Sequence, residues 1–428
     1  MGGAAGHAAT PPVAEPSPSA SAQGSDRRRL LVLCFDPLGD TLPGPSIRAW
    51  HLAEVLAEHH DVVLASTVTA TRSHPLMDVR DVSEGGLDAL VDRVDAVFAP
   101  VSAVHRHPSL AAAGMPLALD MYIPTHLENL EPGPRPPGRH AEDVAHQVRV
   151  IGEDLATGDF FLCASERQRD FWMGALAAAG RVNPAVYDDD PTLRALIDVV
   201  PFGLPAAPPV PAGRVLRERF GIAPDDPVVV WGGGVYDWLD PCSAVLAVHA
   251  ARDCVPAVRL VFLGMGHPTP GIPEMRAAGE VRALSERLGL TGTHVFFHEG
   301  WVPYGERGGW LLDADVGIST HLDHVETRFS FRTRLLDYLW AGLPMVVTGG
   351  DALADVVDAA GVGVAVAPGD VDGLAAAIVR LLGEGPPSRD FASVAQRFRW
   401  PAVAAPLVEW CRRPRRAPDR VAEHSRLR

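Results

Sequence analysis

The chain has 428 residues, of which 47% are hydrophobic, and a formal net charge of −15 at pH 7. This length predicts two or three domains at roughly 150 residues each, with enough apolar residues for a large core. The negative charge disfavours a general nucleic-acid binder, and no apolar run approaches the roughly 20 residues of a membrane span. All 38 basic residues are arginine. Lysine chemistry is therefore excluded, and any anion must be held by arginine, histidine or backbone N–H groups.

The five cysteines are odd in number and lack the spacing of metal ligands. They favour a reducing cytosol over a disulfide framework, so we expect a cytoplasmic protein without a metal site or a resident cofactor. Residues 1–26 are rich in Ala, Pro, Ser and Gly and lack a basic start followed by an apolar core. This composition predicts a disordered leader rather than a signal peptide.

Short apolar runs alternate with helical patterns along the first half of the chain. The alternation predicts βαβ units, and therefore a parallel sheet covered by helices on both faces. The predicted strands are residues 30–35, 61–65, 95–100, 116–121 and 159–164, and the predicted helices are residues 45–59, 86–94, 141–156 and 166–179.

A proline-rich segment, residues 199–211, interrupts this alternation and is typical of an interdomain linker. A first domain at 27–200 and a second at 201–398 are therefore expected, with an arginine-rich, mobile tail at 412–428. A membrane-surface role of that tail is an alternative to simple solvation. The strands predicted in the second domain are residues 227–231, 258–263, 295–298, 315–319, 344–348 and 363–367. Two such domains would form a cleft suited to a ligand that bears phosphates.

The most informative stretch is residues 326–344, which follows a predicted buried strand. Its carboxylates and arginines would lie at a strand end and a helix start, where open α/β sheets bind ligands. A surface cluster of ion pairs is an equally acceptable interpretation of these charges. Gly342 and Pro344 should end the helix. Apolar residues at helical spacing form one face of this helix: Phe331, Leu335, Tyr338 and Leu339.

Glycines follow the first predicted strand of each domain. Gly44 lies where a helix begins, and free N–H groups at a helix start attract anions. The alternative is that Gly44 only forms the turn before the helix. Gly233 and Gly234 belong to a run of three glycines, which is costly unless close backbone approach or positive φ is needed. Asp240 and Pro241 then fit the N-cap and first position of the next helix.

Two further loops follow predicted strands. A bend at Gly300, with Trp301 and Val302, would present peptide groups to a flat heterocycle, although Trp301 would equally serve as packing. His126 is a candidate polar contact for a substrate hydroxyl, and a solvated loop histidine is the alternative.

Together these features resemble the GT-B nucleotide-sugar glycosyltransferases, and more narrowly retaining family 4 in its actinobacterial form. The resemblance rests on the two-domain layout, the glycine-rich turns, the sequence Val-Pro-Phe-Gly at 200–203 and Asp-Tyr-Leu-Trp-Ala-Gly-Leu-Pro at 337–344. It implies two Rossmann-like domains facing across a cleft, with a first domain that binds the acceptor and a second that binds the donor. It further implies that residues 399–411 form a helix crossing back to the first domain.

The family's donor motif places two acidic residues eight positions apart. Asp337 matches the second, which binds the nucleotide ribose. Phe329 occupies the position of the first, which contacts the donor sugar, and the nearest acidic residue is Glu326. By the same resemblance, Gly300, Trp301 and Val302 hold the nucleobase.

The family's Arg/Lys pair for the diphosphate is absent after the first strand of the second domain. We therefore expect Arg332 and Arg334 to supply the positive charge, with Arg328 as a third candidate. Gly44 would lie near the diphosphate and His126 beside the donor sugar. The expected catalytic residues are thus His126, Glu326 and Arg332, and the expected donor-binding residues are Gly44, Gly233, Gly234, Gly300, Trp301, Val302, Phe331, Arg334 and Asp337.

The function implied by this resemblance is transfer of a sugar from a nucleoside-diphosphate sugar to an acceptor hydroxyl with retention, in natural-product or surface-glycan biosynthesis. The leaving phosphate would deprotonate the acceptor, so neither a protein base nor a metal is expected. Two alternatives remain open. One is another GT-B enzyme, an epimerase or a pseudo-glycosyltransferase, and the other is a catalytically silent protein that binds nucleotide sugars or a partner.

Overall fold

A computed structural model describes residues 27–40, 42–130, 139–266 and 274–420. The predicted leader, residues 1–26, lies outside these ranges. Within them the chain forms two parallel sheets, one of seven strands and one of six, which confirms the α/β class. No helix in the described ranges is long and apolar enough to cross a membrane.

The first sheet has the order β3-β2-β1-β4-β5-β6-β7, with every neighbouring pair parallel. Its strands are β1 (Arg29–Cys34), β2 (Asp61–Ser66), β3 (Asp78–Asp81), β4 (Ala96–Pro100), β5 (Leu117–Asp120), β6 (Phe160–Cys163) and β7 (Ile197–Val199). Its helices are α1 (Gly44–Ala57), α2 (Leu87–Val91), α3 (Ala103–Arg106), α4 (Ser109–Ala112), α5 (Thr125–Glu128), α6 (Arg139–Thr157), α7 (Glu166–Ala178) and α8 (Pro184–Asp189).

The second sheet has the order β10-β9-β8-β11-β12-β13 and is also parallel. Its strands are β8 (Val228–Gly234), β9 (Arg259–Gly264), β10 (Val295–Phe297), β11 (Val316–Ser319), β12 (Met345–Thr348) and β13 (Gly363–Val366). Its helices are α9 (Val215–Phe220), α10 (Pro241–Ala251), α11 (Arg276–Arg287), α12 (Arg307–Leu312), α13 (Val325–Phe329), α14 (Thr333–Ala341), α15 (Ala352–Ala360), α16 (Val371–Glu384) and α17 (Phe391–Gln396). The chain ends its described part with α18 (Trp400–Val403) and α19 (Ala405–Arg412).

The apolar strands explain why both sheets are covered on two faces. In β1, Leu30 and Val32 pack into one apolar cluster, whereas Leu31 and Leu33 pack into another on the opposite face. Successive side chains of a strand point to opposite faces, so a continuous apolar run requires cover on both. The cluster that contains Leu30 extends into the second domain, where it includes Tyr338.

Two segments connect the domains, and they lie side by side. Leu204 donates its N–H to the Phe398 carbonyl at 2.7 Å and accepts from the Trp400 N–H at 3.1 Å. A side chain at Gly203 would meet the Trp400 ring at 2.4 Å, so only glycine fits this crossing. After it, Trp410 of α19 stacks on Phe160 of the first domain, with ring centroids 5.7 Å apart.

The described part of the predicted tail is packed against the first domain rather than solvated. Arg415 forms an ion pair with Asp189 at 2.5 Å, and Asp419 accepts from Arg181 at 2.6 Å. Ala417 is only 4% exposed. Of the tail predicted from residue 412, residues 415–420 thus contact the first domain, whereas Arg412 and Arg413 are exposed and residues 421–428 lie outside the described part.

Polar contacts hold the two domains against each other across the cleft. Gln168 at the start of α7 donates to the Phe329 carbonyl at 2.7 Å, and Tyr122 donates to the Phe331 carbonyl at 3.4 Å. Arg167 pairs with Asp355 of α15. The carboxyl ends of the strands of both sheets thus face one cleft, where parallel α/β sheets bind their ligands.

Candidate functional site

Both domains contribute to a cavity of about 200 Å³ at the cleft. The first turn of α1 and the crossing segment form one wall, and the loop after β8, the start of α12 and the helix α14 form the other. Of the residues singled out from the sequence, this cavity brings together Gly44, Gly233, Gly234, Trp301, Val302, Arg334 and Asp337. It does not include Gly300, Phe331, His126, Glu326 or Arg332.

Helix α14 is fixed to the sheet by Tyr338, which is fully buried. Its hydroxyl lies 3.0 Å from the Val230 carbonyl and 2.9 Å from the Ile318 carbonyl, and it accepts from the Gly232 N–H at 2.8 Å. A Cβ at Gly317 would meet the Tyr338 ring at 2.6 Å. These contacts place the exposed face of α14 at the ends of β8 and β11.

The helix starts later than the sequence predicts. The apolar spacing placed Phe331 on the same helix face as Leu335, but α13 ends at Phe329 and α14 begins at Thr333. Ser330 is extended, with φ −76° and ψ 159°, and breaks the helical path. Gly342 ends α14 in the left-handed region at φ 64°, as predicted.

Arg334 projects from the first turn of α14 into the cavity. One of its amino groups, Nη2, donates to the Gly234 carbonyl at 2.7 Å, and its Cζ lies 4.5 Å above the Trp231 ring. The other amino group, Nη1, is buried, and none of the residues that the structure describes forms a hydrogen bond with it. Within the described ranges no carboxylate forms an ion pair with this guanidinium, so its charge is uncompensated at the cavity wall.

The environment of Arg334 confirms that its charge is costly without an anion. Burial lowers its pKa to about 10, and the neighbouring Arg332 acts in the same direction. The guanidinium nevertheless remains protonated at neutral pH. A buried cation with a free donor is a strong binding point for an anionic group, because the anion would remove the desolvation cost.

Asp337 lies one turn further along α14, beside an arginine that the sequence did not single out. Its Oδ1 accepts from Arg307 Nε at 3.0 Å, and its side chain is 33% exposed. Arg307 lies 3.7 Å from the Tyr304 ring centroid and 4.5 Å from that of Trp340. Oδ2 of Asp337 is thus left to accept hydrogen bonds from a ligand in the cavity.

Tyr304 connects this pair to the first domain. Its hydroxyl lies 3.1 Å from His51 Nε2 of α1, and the His51 ring stacks on Trp400 with centroids 5.2 Å apart. Burial raises the pKa of Tyr304 to about 12. Nothing in the sequence around Arg307 or Tyr304 marks them as site residues, because their partners come from distant parts of the chain.

Glu326 and Arg332 form a buried ion pair, although the sequence analysis gave them separate roles. Arg332 Nη2 donates to Glu326 Oε2 at 2.5 Å, and the two residues are 8% and 1% exposed. The break at Ser330 brings these side chains together across six positions. Arg332 thus faces a carboxylate rather than the cavity, and Arg328, the third candidate, is exposed.

His126 lies in an aromatic cluster beside this pair. Its ring stacks on Phe171 with centroids 5.6 Å apart, and it lies 5.6 Å from the Trp172 ring. Its Nδ1 is buried without a partner, and burial lowers its pKa, so the ring is neutral at neutral pH. Phe329, at the position of the family's first acidic residue, packs on Phe171 with centroids 4.8 Å apart.

Glu128 is a second carboxyl group near Glu326 that the sequence analysis missed. Burial, together with the negative charge of Glu326, raises its pKa from 4.5 to about 7, while Arg332 opposes the shift. The folded protein therefore keeps a proton on Glu128 at pH values where the unfolded chain releases it. The contribution of Glu128 to stability is most favourable below pH 4.5 and declines as the pH rises towards 7.

Replacing Glu128 with glutamine should remove this decline. We expect the melting temperature of E128Q to match that of the wild type near pH 4.5 and to exceed it above pH 7. Thermal unfolding of both proteins across this range measures the difference. A difference that stays constant with pH would contradict the raised pKa of Glu128.

Comparison with known proteins finds a family model for most of the second domain. Residues 227–384, which lie within the second domain, match the family model described as "Glycosyl transferases group 1". The matched segment contains Gly233, Gly234, Arg307, Arg334 and Asp337. No curated protein sequence matches the chain significantly.

Solved structures share the whole two-domain architecture. Sucrose-phosphate synthase from Thermosynechococcus elongatus has a TM-score of 0.65 at 16% identity, covering 90% of this chain and 98% of that chain. HepE from Anabaena, in complex with UDP-glucose, has a TM-score of 0.64 at 15% identity, with coverage of 90% and 99%. Trehalose 6-phosphate synthase from Burkholderia multivorans has a TM-score of 0.62 at 12% identity, with coverage of 94% and 98%. The chain therefore has the GT-B fold, with a second domain that matches the group 1 glycosyltransferases.

Proposed function

We propose that the protein is a glycosyltransferase that moves a sugar from a nucleoside-diphosphate sugar to an acceptor hydroxyl with retention of configuration. The observation that carries this proposal is the uncompensated guanidinium of Arg334 in a cavity between two GT-B domains. The group 1 match of the second domain supports it. Family 4 membership, a cytoplasmic location and a role in natural-product or surface-glycan biosynthesis belong to the same proposal.

The diphosphate would bind at Arg334. The guanidinium offers Nη1, which has no hydrogen-bond partner among the described residues, and Gly233, in the left-handed region at φ 100°, lines the same cavity. The first turn of α1, with Gly44, lies on the other side of the same cavity. This helix has 14 residues, and its N-terminal N–H groups carry partial positive charge.

The nucleoside would extend from the diphosphate towards Asp337. A carboxylate oxygen suits two vicinal ribose hydroxyls, and Arg307 holds this carboxylate in place through Oδ1. Trp301 and Val302 lie at the same cavity and would enclose the base. HepE was solved with UDP-glucose, so uridine nucleotides are the first donors to test.

The transfer breaks the bond between the anomeric carbon and the diphosphate oxygen and forms a bond from that carbon to the acceptor oxygen. The acceptor proton passes to the departing phosphate. Arg334 and the α1 N-terminus would stabilise the negative charge that develops on the diphosphate, which is where preorganised electrostatics lowers a barrier most. The buried pair of Glu326 and Arg332 would position α14 rather than contact phosphate.

A thermal-shift screen with UDP, ADP and GDP sugars tests donor binding. A ligand at 100 times its Kd stabilises the folded state by about 2.7 kcal/mol. Transfer to acceptors, followed by NMR of the product's anomeric centre, then tests the reaction and its stereochemistry. Addition of EDTA should leave the rate unchanged, because the proposal uses arginine as the cation.

Failure of every nucleotide sugar to raise the melting temperature would overturn the proposal. Binding without hydrolysis or transfer would instead favour a silent nucleotide-sugar-binding protein. Conversion of the donor without an acceptor would favour an epimerase.

Replacing Asp337 with asparagine should weaken nucleotide binding. The variant loses a charge-assisted hydrogen bond to the ligand, which corresponds to roughly a tenfold rise in Kd. Isothermal titration with UDP measures the change. Asp358 is exposed on α15, away from the cavity, so D358N is the matched control with unchanged affinity.

A further inference from the structure

A second and larger cavity, of about 330 Å³, lies entirely within the first domain. It opens at the carboxyl ends of β1, β4 and β5, between α1 and α6. Pro45, Arg48 and Ala49 of the first two turns of α1 line it, whereas Gly44 and Ile47 line the cavity at the cleft. The two cavities thus lie on different sides of the start of the same helix.

The wall of this first-domain cavity is mostly apolar. Leu33, Phe98, Ile123 and Ile151 contribute to it, and the Phe35 ring closes one side. A volume of this size, lined in this way, suits a single small organic molecule. Its charged lining residues are Asp36, Arg48, Arg106 and Asp120.

Of these charges, Arg48 and Asp120 neutralise each other. Arg48 Nε donates to Asp120 Oδ2 at 2.6 Å, and Nη2 donates to Oδ1 at 3.0 Å. The remaining donors of Arg48 reach the carbonyls of Val200 and Pro201, both at 2.8 Å. Arg48 and Asp120 therefore line the cavity as a neutral pair, and the guanidinium of Arg48 is already bonded within the protein.

Arg106 is different, because its side chain is exposed, its guanidinium lies 4.8 Å above the Phe35 ring, and it forms no ion pair with any carboxylate in the described ranges. Gln147 lines the same cavity from α6, and its Oε1 is buried without a hydrogen-bond partner among the described residues. The exposed guanidinium at the cavity is available to an anionic group of a ligand, and a buried carbonyl oxygen without a partner is best satisfied by a donor such as a hydroxyl.

We propose that this cavity binds the acceptor, and that Arg106 and Gln147 select a small hydroxylated acid, bearing a carboxylate or a phosphate. The acid group pairs with Arg106, a hydroxyl donates to Gln147 Oε1, and the apolar wall holds the carbon skeleton. That the bound acid receives a sugar rests on the proposed glycosyl transfer. That it binds in this cavity does not.

Isothermal titration with two matched pairs of probes tests this selection. The first pair is mandelate and its neutral amide, mandelamide, and the second is glucose 6-phosphate and glucose. We expect one acid to bind at least tenfold more tightly than its neutral partner, and the pair that shows the preference distinguishes carboxylate from phosphate. In R106Q this preference should disappear, while affinity for the neutral partner stays within twofold.

Two further variants complete the test. Q147L should weaken acid and neutral members of the preferred pair by a similar, several-fold factor, since both donate a hydroxyl. Arg149 lies exposed on α6 outside the cavity, so R149Q should bind every probe as the wild type does. Equal affinity for acids and neutral partners, or an unchanged preference in R106Q, would overturn the inference.

Titration of the same variants with UDP separates this inference from the proposed function. Arg106 does not line the cavity at the cleft, so R106Q should bind UDP with wild-type affinity. Loss of acid selection with normal UDP binding supports the inference. Acid selection without any nucleotide binding would retain the small-molecule site while refuting the glycosyltransferase proposal.

Discussion

Replacing Arg334 with alanine is expected to lower kcat/KM for the nucleotide-sugar donor by about 100-fold or more. The guanidinium of Arg334 lines the cleft cavity without a counter-ion. Removal of one preorganised group that stabilises the negative charge developing in the transition state typically lowers the rate about 10²–10³-fold. Affinity for UDP should fall as well, because the diphosphate is already charged before the reaction. Donor kinetics and UDP titration measure both effects.

Three comparisons make this experiment decisive. R334K keeps the charge but loses the two-pronged geometry, so it should retain an intermediate activity. Arg380 is exposed on α16, far along the chain from the cavity, and R380A should match the wild type. UDP affinity within twofold of wild type in a folded R334A protein would show that the diphosphate binds elsewhere.

The second large effect concerns stability rather than binding. Replacing Arg332 with alanine should destabilise the protein by about 3–5 kcal/mol, because it leaves the buried carboxylate of Glu326 without its partner. E326Q should be milder, since a neutral amide still accepts from Arg332. Denaturant unfolding of each variant measures the change.

The double variant E326Q/R332M discriminates between a structural and a phosphate-binding role of Arg332. If the pair is structural, the double variant should recover much of the stability lost by R332A and keep nucleotide affinity close to wild type. If Arg332 contacts phosphate, nucleotide affinity should fall in the double variant despite the regained stability. With R332M as the matching single variant, a loss of stability in E326Q/R332M equal to the sum of the losses in E326Q and R332M would contradict a direct interaction between the side chains.

The sequence predicts the sheets well because most of their strands are central. A strand buried on both faces is a continuous apolar run, and β1, β8 and β9 have this pattern. The strand β3 was missed because it lies at the edge of its sheet and consists of Asp-Val-Arg-Asp. An edge strand needs little apolar surface, so its sequence resembles a loop.

The site is less predictable, because its contacts join residues that are distant in the sequence. Asp337 and Arg334 can be selected from their place after a strand, but Arg307 gains its meaning only from contact with Asp337, 30 positions away. Glu326 pairs with Arg332 because the helical path breaks at Ser330. The apolar spacing of the surrounding sequence does not predict this break. Likewise, the sequence does not show that the guanidinium of Arg106 and Oε1 of Gln147 line one cavity, because only the folded first domain brings them together.

The adjacent crossings at Leu204 and Trp400 have a consequence for the architecture of the chain. Because α18 and α19 return to the first domain, the second domain is an insertion whose two ends meet at neighbouring backbone positions. Domains with adjacent ends can be excised or exchanged with little disturbance of the host, since the host chain is rejoined over a short distance. The second domain is therefore a natural unit to exchange between related two-domain proteins.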